Sequence, residues 1–380
     1  MKLRSNIFMF VSAFLFALLN ISNQNERKAE QADPSESTFI TISVVGDLMC
    51  HSPQYKYAKV TADSFDFTPT FHEIKKYFDS SDFVLGNFET VTSGKEKKYS
   101  GFPYFNSPKD YITSLKKIGF NFLFTSNNHC LDRGEIGILR TLENLKKNEI
   151  NSTGTFASQK ERDSITVLSA KGIHFAVLSY TYGLNGNYLP KGKHYLVNLI
   201  SDSLVSSDIQ KAKSYDVDFV LVYFHFGEEY QHEPNSYQKA VVQNAIDAGA
   251  DVIIASHPHV LQPVEFFKSK GKLDSGFVAY SLGNFISNQR WRYSDAGTIL
   301  QFQIKKEALS NVLQLGNVSA VPTWVFKGKI ESKNQFLILP SDRRKEDYPF
   351  LSNQDYQKMN QSFQDSKLIL TKYSSRIHLN

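Results

Sequence analysis

Short apolar runs alternate along this chain with segments of helical period, and that alternation restricts the fold more than any other feature. Runs at 40–45, 83–86, 122–125, 175–180, 219–224, 252–255 and 277–281 read as strands. Helical patterns at 71–78, 108–118, 135–148 and 237–248 lie between them, the last closed by Gly249. Strand, helix and strand repeated in this order predict an α/β sheet. Past residue 298 the pattern changes. Segments 298–304 and 326–339 come nearer to strict alternation and predict edge strands, and 355–370 predicts an amphipathic covering helix. The tail after Leu370 is expected to fray.

The 380 residues, 41% of them hydrophobic, supply ample material for a packed core. Lysine and arginine exceed the acids by 43 to 38, a formal charge of +5 without a dense basic cluster. Binding to a phosphate backbone calls for a concentrated basic stripe, so a dedicated nucleic-acid role is not expected. At the N-terminus Lys2 and Arg4 precede an apolar run at 7–21, and a polar tract follows at 22–37. That order predicts export. The run falls short of the roughly 20 residues that span a bilayer, and no clean cleavage site follows, so retention as an anchor and removal as a signal both stay open. The predicted organisation is a signal or anchor at 1–22, a polar linker at 23–38, a main domain at 39–305, and strands with a covering helix of the same domain at 306–380. With only two cysteines, Cys50 and Cys130, a thiolate metal cage is excluded. Any metal site must use nitrogen and oxygen donors.

Those donors fall in a pattern. Asp47 follows the run at 40–45, Glu89 the run at 83–86, and Asn128 with His129 the run at 122–125. His225 ends the run at 219–224, and His257 and His259 follow 252–255. Five strands thus each deliver polar groups from the carboxyl end, where open α/β sheets bind their ligands. An aspartate after a strand is often only a turn or cap residue, and a buried histidine is often only a satisfied core residue. Concurrence changes the balance: of ten histidines, four lie just beyond predicted strands in register with two carboxylates. Pro258 is expected to hold 257–259 extended, so that His257 and His259 project to one side. Carboxylates, an amide carbonyl and imidazoles together suit one or two ions of manganese, iron or zinc. His129 is expected as general acid or oxyanion partner, with Asp132 orienting it. Asn87, Glu229 and Asn284 are expected to line the crevice. Tyr55, Tyr99, Phe102 and Tyr104 are candidates for a polymer groove.

Seven motifs in order carry a family resemblance: Gly46-Asp47-Leu48-Met49, Gly86-Asn87-Phe88-Glu89, Ser126-Asn127-Asn128-His129 with Asp132 and Gly134, His225-Phe226-Gly227, the run at 247–252, His257-Pro258-His259-Val260, and 280–285. Together they resemble the CapA (PgsA-type) capsule and poly-γ-glutamate synthesis proteins across roughly residues 40–305. The resemblance implies a layered αββα fold like that of the calcineurin-like metallophosphoesterases, with a divalent-metal site at the strand ends. It also implies attachment to the outer face of a membrane and a part in making, moving or releasing an anionic surface polymer, poly-γ-glutamate or capsular polysaccharide. Membrane-bound synthase subunits are the implied partners. The expected activity is that of a metal-dependent hydrolase or transferase; a non-catalytic polymer-binding partner of a membrane synthase is the alternative.

The chain departs from the phosphoesterase pattern in three places. Methionine stands at position 49 where those enzymes carry a histidine ligand, Asn87 and Glu89 stand where they carry a bridging aspartate, and Ala255 and Ser256 replace the usual Gly and His before His257. Cys50 and Cys130 follow Asp47 and His129 closely enough that a disulfide beside the site is conceivable in an oxidising compartment, with two buried thiols as the default.

Overall fold

The computed structural model describes residues 37–380. The expected export segment and most of the expected linker lie outside the described residues. Among the described residues no helix is long and apolar enough to cross a membrane.

The strands are β1 Thr38–Leu48, β2 Phe83–Asn87, β3 Phe122–Phe124, β4 Asn151–Thr153, β5 Thr166–Ala170, β6 Ile173–Thr181, β7 Phe219–His225, β8 Val252–Ser256, β9 Leu261–Phe267, β10 Gly276–Leu282, β11 Asn284–Ile286, β12 Ala296–Lys306, β13 Leu313–Ile330, β14 Lys333–Pro340 and β15 Ile377–Leu379. The α-helices are α1 Ser52–Tyr57, α2 Asp110–Ile118, α3 Gly134–Lys147, α4 Gln159–Arg162, α5 Asp202–Lys213, α6 Ser236–Ala248 and α7 Asn353–Leu370. They build two sheets, where periodicity alone predicted one. The first runs β14-β13-β12-β1-β2-β3-β4, with β11 beside β1 and β15 beside β13; the second runs β5-β6-β7-β8-β10-β9.

Side-chain alternation sets the layers. Along β1, Ile40, Ile42 and Val44 face a core shared with Phe175, Val177, Phe219, Leu221, Tyr223, Val252 and Ile254 of the second sheet. Phe124 stacks on Tyr223 across this seam, centroids 4.2 Å apart. On the far side of the first sheet, Val45, Val84 and Leu123 pack with Tyr111, Ile112 and Leu115 of α2 and Leu145 of α3. On the far side of the second, Val220, Val222 and Phe224 pack with Val205 and Ile209 of α5 and Val241, Val242 and Ala245 of α6. The result is an αββα arrangement. Strands β1, β2 and β3 are parallel, as are β6, β7, β8 and β10, and their carboxyl ends supply the side chains of the site.

Several expectations change. The segment predicted as a helix at 71–78 is a 3-10 helix over Thr68–Tyr77 with Pro69 in its first turn, burying Phe71 and Ile74; residues three apart align in that tighter helix. Strand β12 is interior, hydrogen-bonded to β1 and to β13, and not the edge strand expected; β14 lies at the edge. The tail is not frayed: Ile377 to Leu379 pair in parallel with Val318 to Ala320 of β13. Helix α5 and the strands β4, β5, β9 and β11 were not predicted, the three-residue strands being too short to carry a period. Cys50 and Cys130 are separate buried thiols, each pushed up to about 12 by burial.

Candidate metal centre

Backbone geometry at the end of β1 places the first donor. A Cβ on Gly46 would sit 2.0 Å from the carbonyl oxygen of Gly283, so only glycine lets the two chains approach there. Asp47 N–H then donates to that same carbonyl at 3.0 Å, and the register shifts so that Asp47 lies between Asn87 of β2 and Asn284 of β11. From the second strand, the Asn87 amide nitrogen donates to Asp47 Oδ1 at 2.8 Å and to Glu89 Oε2 at 3.3 Å. Its own Oδ1 accepts from Asn127 at 3.2 Å. One amide therefore holds both carboxylates.

The histidines enter from the second sheet. His225, at the end of β7, has Nε2 3.0 Å from Asn128 Oδ1 and 3.8 Å from Glu89 Oε1. His259 has Nδ1 3.1 Å from Asp47 Oδ2 and Nε2 4.0 Å from Glu89 Oε1. The His257 ring packs 4.8 Å from His225 and 5.9 Å from His259. The loop carrying the last two is not extended as expected: φ is 107° at His257 and 58° at His259, so both occupy the left-handed region on either side of Pro258. Strain of this kind persists only where surrounding structure enforces it, and β9 starting at Leu261 requires the tight turn. Donor atoms of Asp47, Glu89 and His259 all lie within 4.8 Å of one another.

The electrostatics are unusual for an interior. Asp47, Glu89 and His225 are fully buried, and among the described residues neither carboxylate pairs with a lysine or arginine within 4.0 Å. Burial first, and then the neighbouring Asp47 carboxylate, push Glu89 well above the ordinary carboxylate range. Burial likewise holds His225 well below its usual value and His257 down at about 3, so both imidazoles are neutral near pH 7. Among the described residues Glu89 Oε1 and His257 Nδ1 are buried without a hydrogen-bond partner. A fully buried carboxylate pair with no lysine or arginine beside it, next to an imidazole whose Nδ1 is free, fits a divalent cation, whose charge would favour the ionised carboxylates.

His129 sits beside this cluster rather than within it. Its Nδ1 lies 2.8 Å from Asp132 Oδ2, which also accepts from Phe105 N–H at 2.7 Å. The Phe105 ring packs edge-on against His129 at 4.7 Å and against His51 at 5.1 Å. Glu229 is exposed and touches the cluster only through its charge on Glu89. Asn284 supports the histidine loop, donating to His259 O at 3.3 Å and Ser294 O at 2.9 Å. Of the aromatic candidates, Tyr55 and Tyr99 pack together while Phe102 and Tyr104 are exposed.

Sequence reading missed four contributors. Asn127 ties the second strand to the third, with its nitrogen also donating to Phe88 O at 2.9 Å. His51, four residues past Asp47, is half-buried and packs edge-on against Phe105. Tyr182 packs 4.5 Å from His257 and Tyr230 packs 6.1 Å from His259. Tyr182 directly follows β6, so the strand-end rule applied to that strand would have found it.

Two relatives align over most of this chain. It is 28% identical over 301 residues to the capsule biosynthesis protein CapA of Bacillus anthracis, covering 77% of this chain and 71% of that one. It is 27% identical over 350 residues to the PGA biosynthesis protein CapA of Bacillus subtilis (strain 168), covering 90% and 89%. Among solved structures there is a loose likeness to the NAD nucleotidase NadN of Haemophilus influenzae, with TM-score 0.46, 13% identity, and coverage of 91% and 64%. The calcineurin-like phosphoesterase YfkN of Bacillus subtilis gives 0.44, 12%, and coverage of 87% and 98%. Likeness that remote says nothing about chemistry. Residues 41–289, well over half of the chain, match the family described as bacterial capsule synthesis protein PGA_cap, and the chain belongs to that family.

Proposed function

We propose that this chain acts in making, moving or releasing an anionic bacterial surface polymer, of poly-γ-glutamate or capsular-polysaccharide type, as a metal-dependent hydrolase or transferase. The bond acted on is a phosphoester or an amide of that polymer. The observation that carries this reading is the buried pair Asp47 and Glu89, bound through one Asn87 amide and, among the described residues, without a lysine or arginine within 4.0 Å. Asp47, Glu89 and His259 are the residues to hold a divalent cation of manganese, iron or zinc, with His225, His257 and Asn128 around them. A cation there supplies Lewis-acid polarisation of a phosphoryl or acyl oxygen.

The chain's own residues do the rest. Asp132 holds the Nδ1 side of His129, which leaves Nε2 to give or take a proton at the substrate. Phe105 fixes the ring from its edge, and Tyr182 walls the opposite side over His257. Membership of the family and the capsule and PGA biosynthesis roles of its CapA relatives support the polymer assignment. Export, placement at the outer face of a membrane and partnership with membrane-bound synthase subunits belong to the same proposal. The thinly spread charge of +5 supports the exclusion of nucleic acid.

Elemental analysis of the purified protein tests the site. Substituting His257→Ala together with His259→Ala should remove both metal and turnover of the polymer; a double variant that keeps its metal would sink the ligand assignment. One observation favours the alternative, a non-catalytic polymer-binding partner. Position 49, where the phosphoesterases carry a histidine ligand, is a buried methionine, a poor ligand for a hard cation. That alternative predicts normal capsule export in cells carrying Glu89→Ala or His129→Ala.

A further inference from the structure

A cavity of about 480 Å³ lies between the 290–296 segment leading into β12 and one face of α7. None of the metal-centre residues lines it, and every lining residue falls after position 289, past the segment matched by the family. The helix face it uses is polar: Gln354, Gln357, Lys358, Gln361, Ser362 and Asp365 follow at helical spacing. A helix that only covered a sheet would turn apolar residues inward here.

Two side chains at this cavity carry buried polar atoms without a hydrogen-bond partner among the described residues. The guanidinium of Arg290 rests 5.3 Å from the centroid of the Trp324 ring, and its Nε and Nη1 are buried with no acceptor. Ser362, 5% exposed, has a buried hydroxyl without a hydrogen bond. The other charges nearby are largely satisfied: Arg292 forks onto Asp365 with both bonds at 2.9 Å, and Trp324 Nε1 donates to Asp295 Oδ2 at 2.8 Å. Lys358 is exposed and forms no ion pair among the described residues. Arg290 as a whole is half-buried, but guanidinium N–H groups that are buried without an acceptor are costly unless a ligand supplies one.

We propose that this cavity is a carboxylate-binding site, which takes one carboxyl group of a ligand against Arg290 and Ser362 with Lys358 at its mouth. The planar fork of arginine matches a carboxylate through paired N–H bonds. A monoanion suits the charge balance, since three cationic side chains line the cavity with two carboxylates, and a phosphate dianion would face Asp295 and Asp365. The site stands independently of the metal centre. It is joined to it through the adjacent Gln289, which donates to Tyr230 Oη at 3.2 Å, and through Trp291, whose ring packs 5.5 Å from Tyr230.

The test is ligand-observed NMR on the full chain, stripped of metal and dialysed free of chelator, with glutaramate, a five-carbon monocarboxylate, against its neutral diamide and against inorganic phosphate. Glutaramate is expected to bind and the diamide is not. Arg290→Gln should weaken binding about tenfold or more, the scale of a charge-assisted hydrogen bond. The exposed Lys358→Gln, which leaves the core untouched, should weaken it a few-fold. The proposal is overturned if the diamide binds equally, if phosphate binds better, or if both variants bind as the parent does. Loss of binding in the His257→Ala, His259→Ala variant with retention in Arg290→Gln would place the carboxylate at the metal centre and also overturn it.

Discussion

His259 and Asp47 stand 212 residues apart in the chain, yet Nδ1 of one lies 3.1 Å from Oδ2 of the other. The contact joins the end of a strand in one sheet to a loop of the other. It holds only while the two sheets stay face to face, so the site and the inter-sheet core depend on each other.

That dependence gives the first prediction. Phe124→Ala removes one ring of the stack with Tyr223, which should cost about 3–5 kcal/mol of stability. Because Tyr223 Oη lies 3.4 Å from His225 Nδ1, metal content should fall along with the melting temperature. Thermal unfolding with elemental analysis checks both; full metal loading in a destabilised variant would separate core from site.

Asn87→Asp adds a third carboxylate between Asp47 and Glu89. Without metal this buries one more uncompensated charge, and the chelated protein should lose roughly 3–5 kcal/mol of stability. With metal the stoichiometry should rise, and the melting temperature should recover through ligand linkage. Unchanged metal content and unchanged melting in chelator would show that position 87 does not face the cation.

Asp132→Asn keeps the shape around His129 but removes the carboxylate on Nδ1. Metal content should stay the same while turnover falls about 10–100-fold, the usual scale for a residue that orients a site imidazole. Asp132→Ala also orphans Phe105 N–H, which should add about 1–3 kcal/mol of destabilisation. A fall in metal content equal to that in turnover would make Asp132 part of metal binding instead.

His51 governs part of the acid response. Burial lowers it to about 4, against 6.5 for the exposed group. As pH falls the unfolded chain therefore takes up the proton first, so stability is present above about 6.5 and is lost progressively down to about 4. Between pH 7 and pH 5 this one group should contribute about 2 kcal/mol of destabilisation. Urea unfolding of the parent and His51→Gln at both pH values measures it; parallel pH dependence in the two proteins would refute the assignment.

Local sequence was enough to find most of the strands that carry donors, because apolar runs ended by polar loops record burial residue by residue. It also pointed to Asp47, Glu89, Asn128, His225, His257 and His259 as candidate donors, since ligand-bearing loops follow strand ends in this class of fold, and the two sheets bring these side chains together. Three-residue strands such as β4 and β11, the pairing of the tail with β13, and the left-handed turn at His257 and His259 lay beyond it. Each is fixed by hydrogen bonds or close packing with residues far off in the chain. Pairing of distant segments decided the rest: that β12 is interior, that the parallel strands divide between two sheets, that Asn87 binds both carboxylates, and that Arg290 Nε and Nη1 are buried without an acceptor. A side chain's type is written in the sequence, but its partners and its distance from water exist only once the sheets have packed.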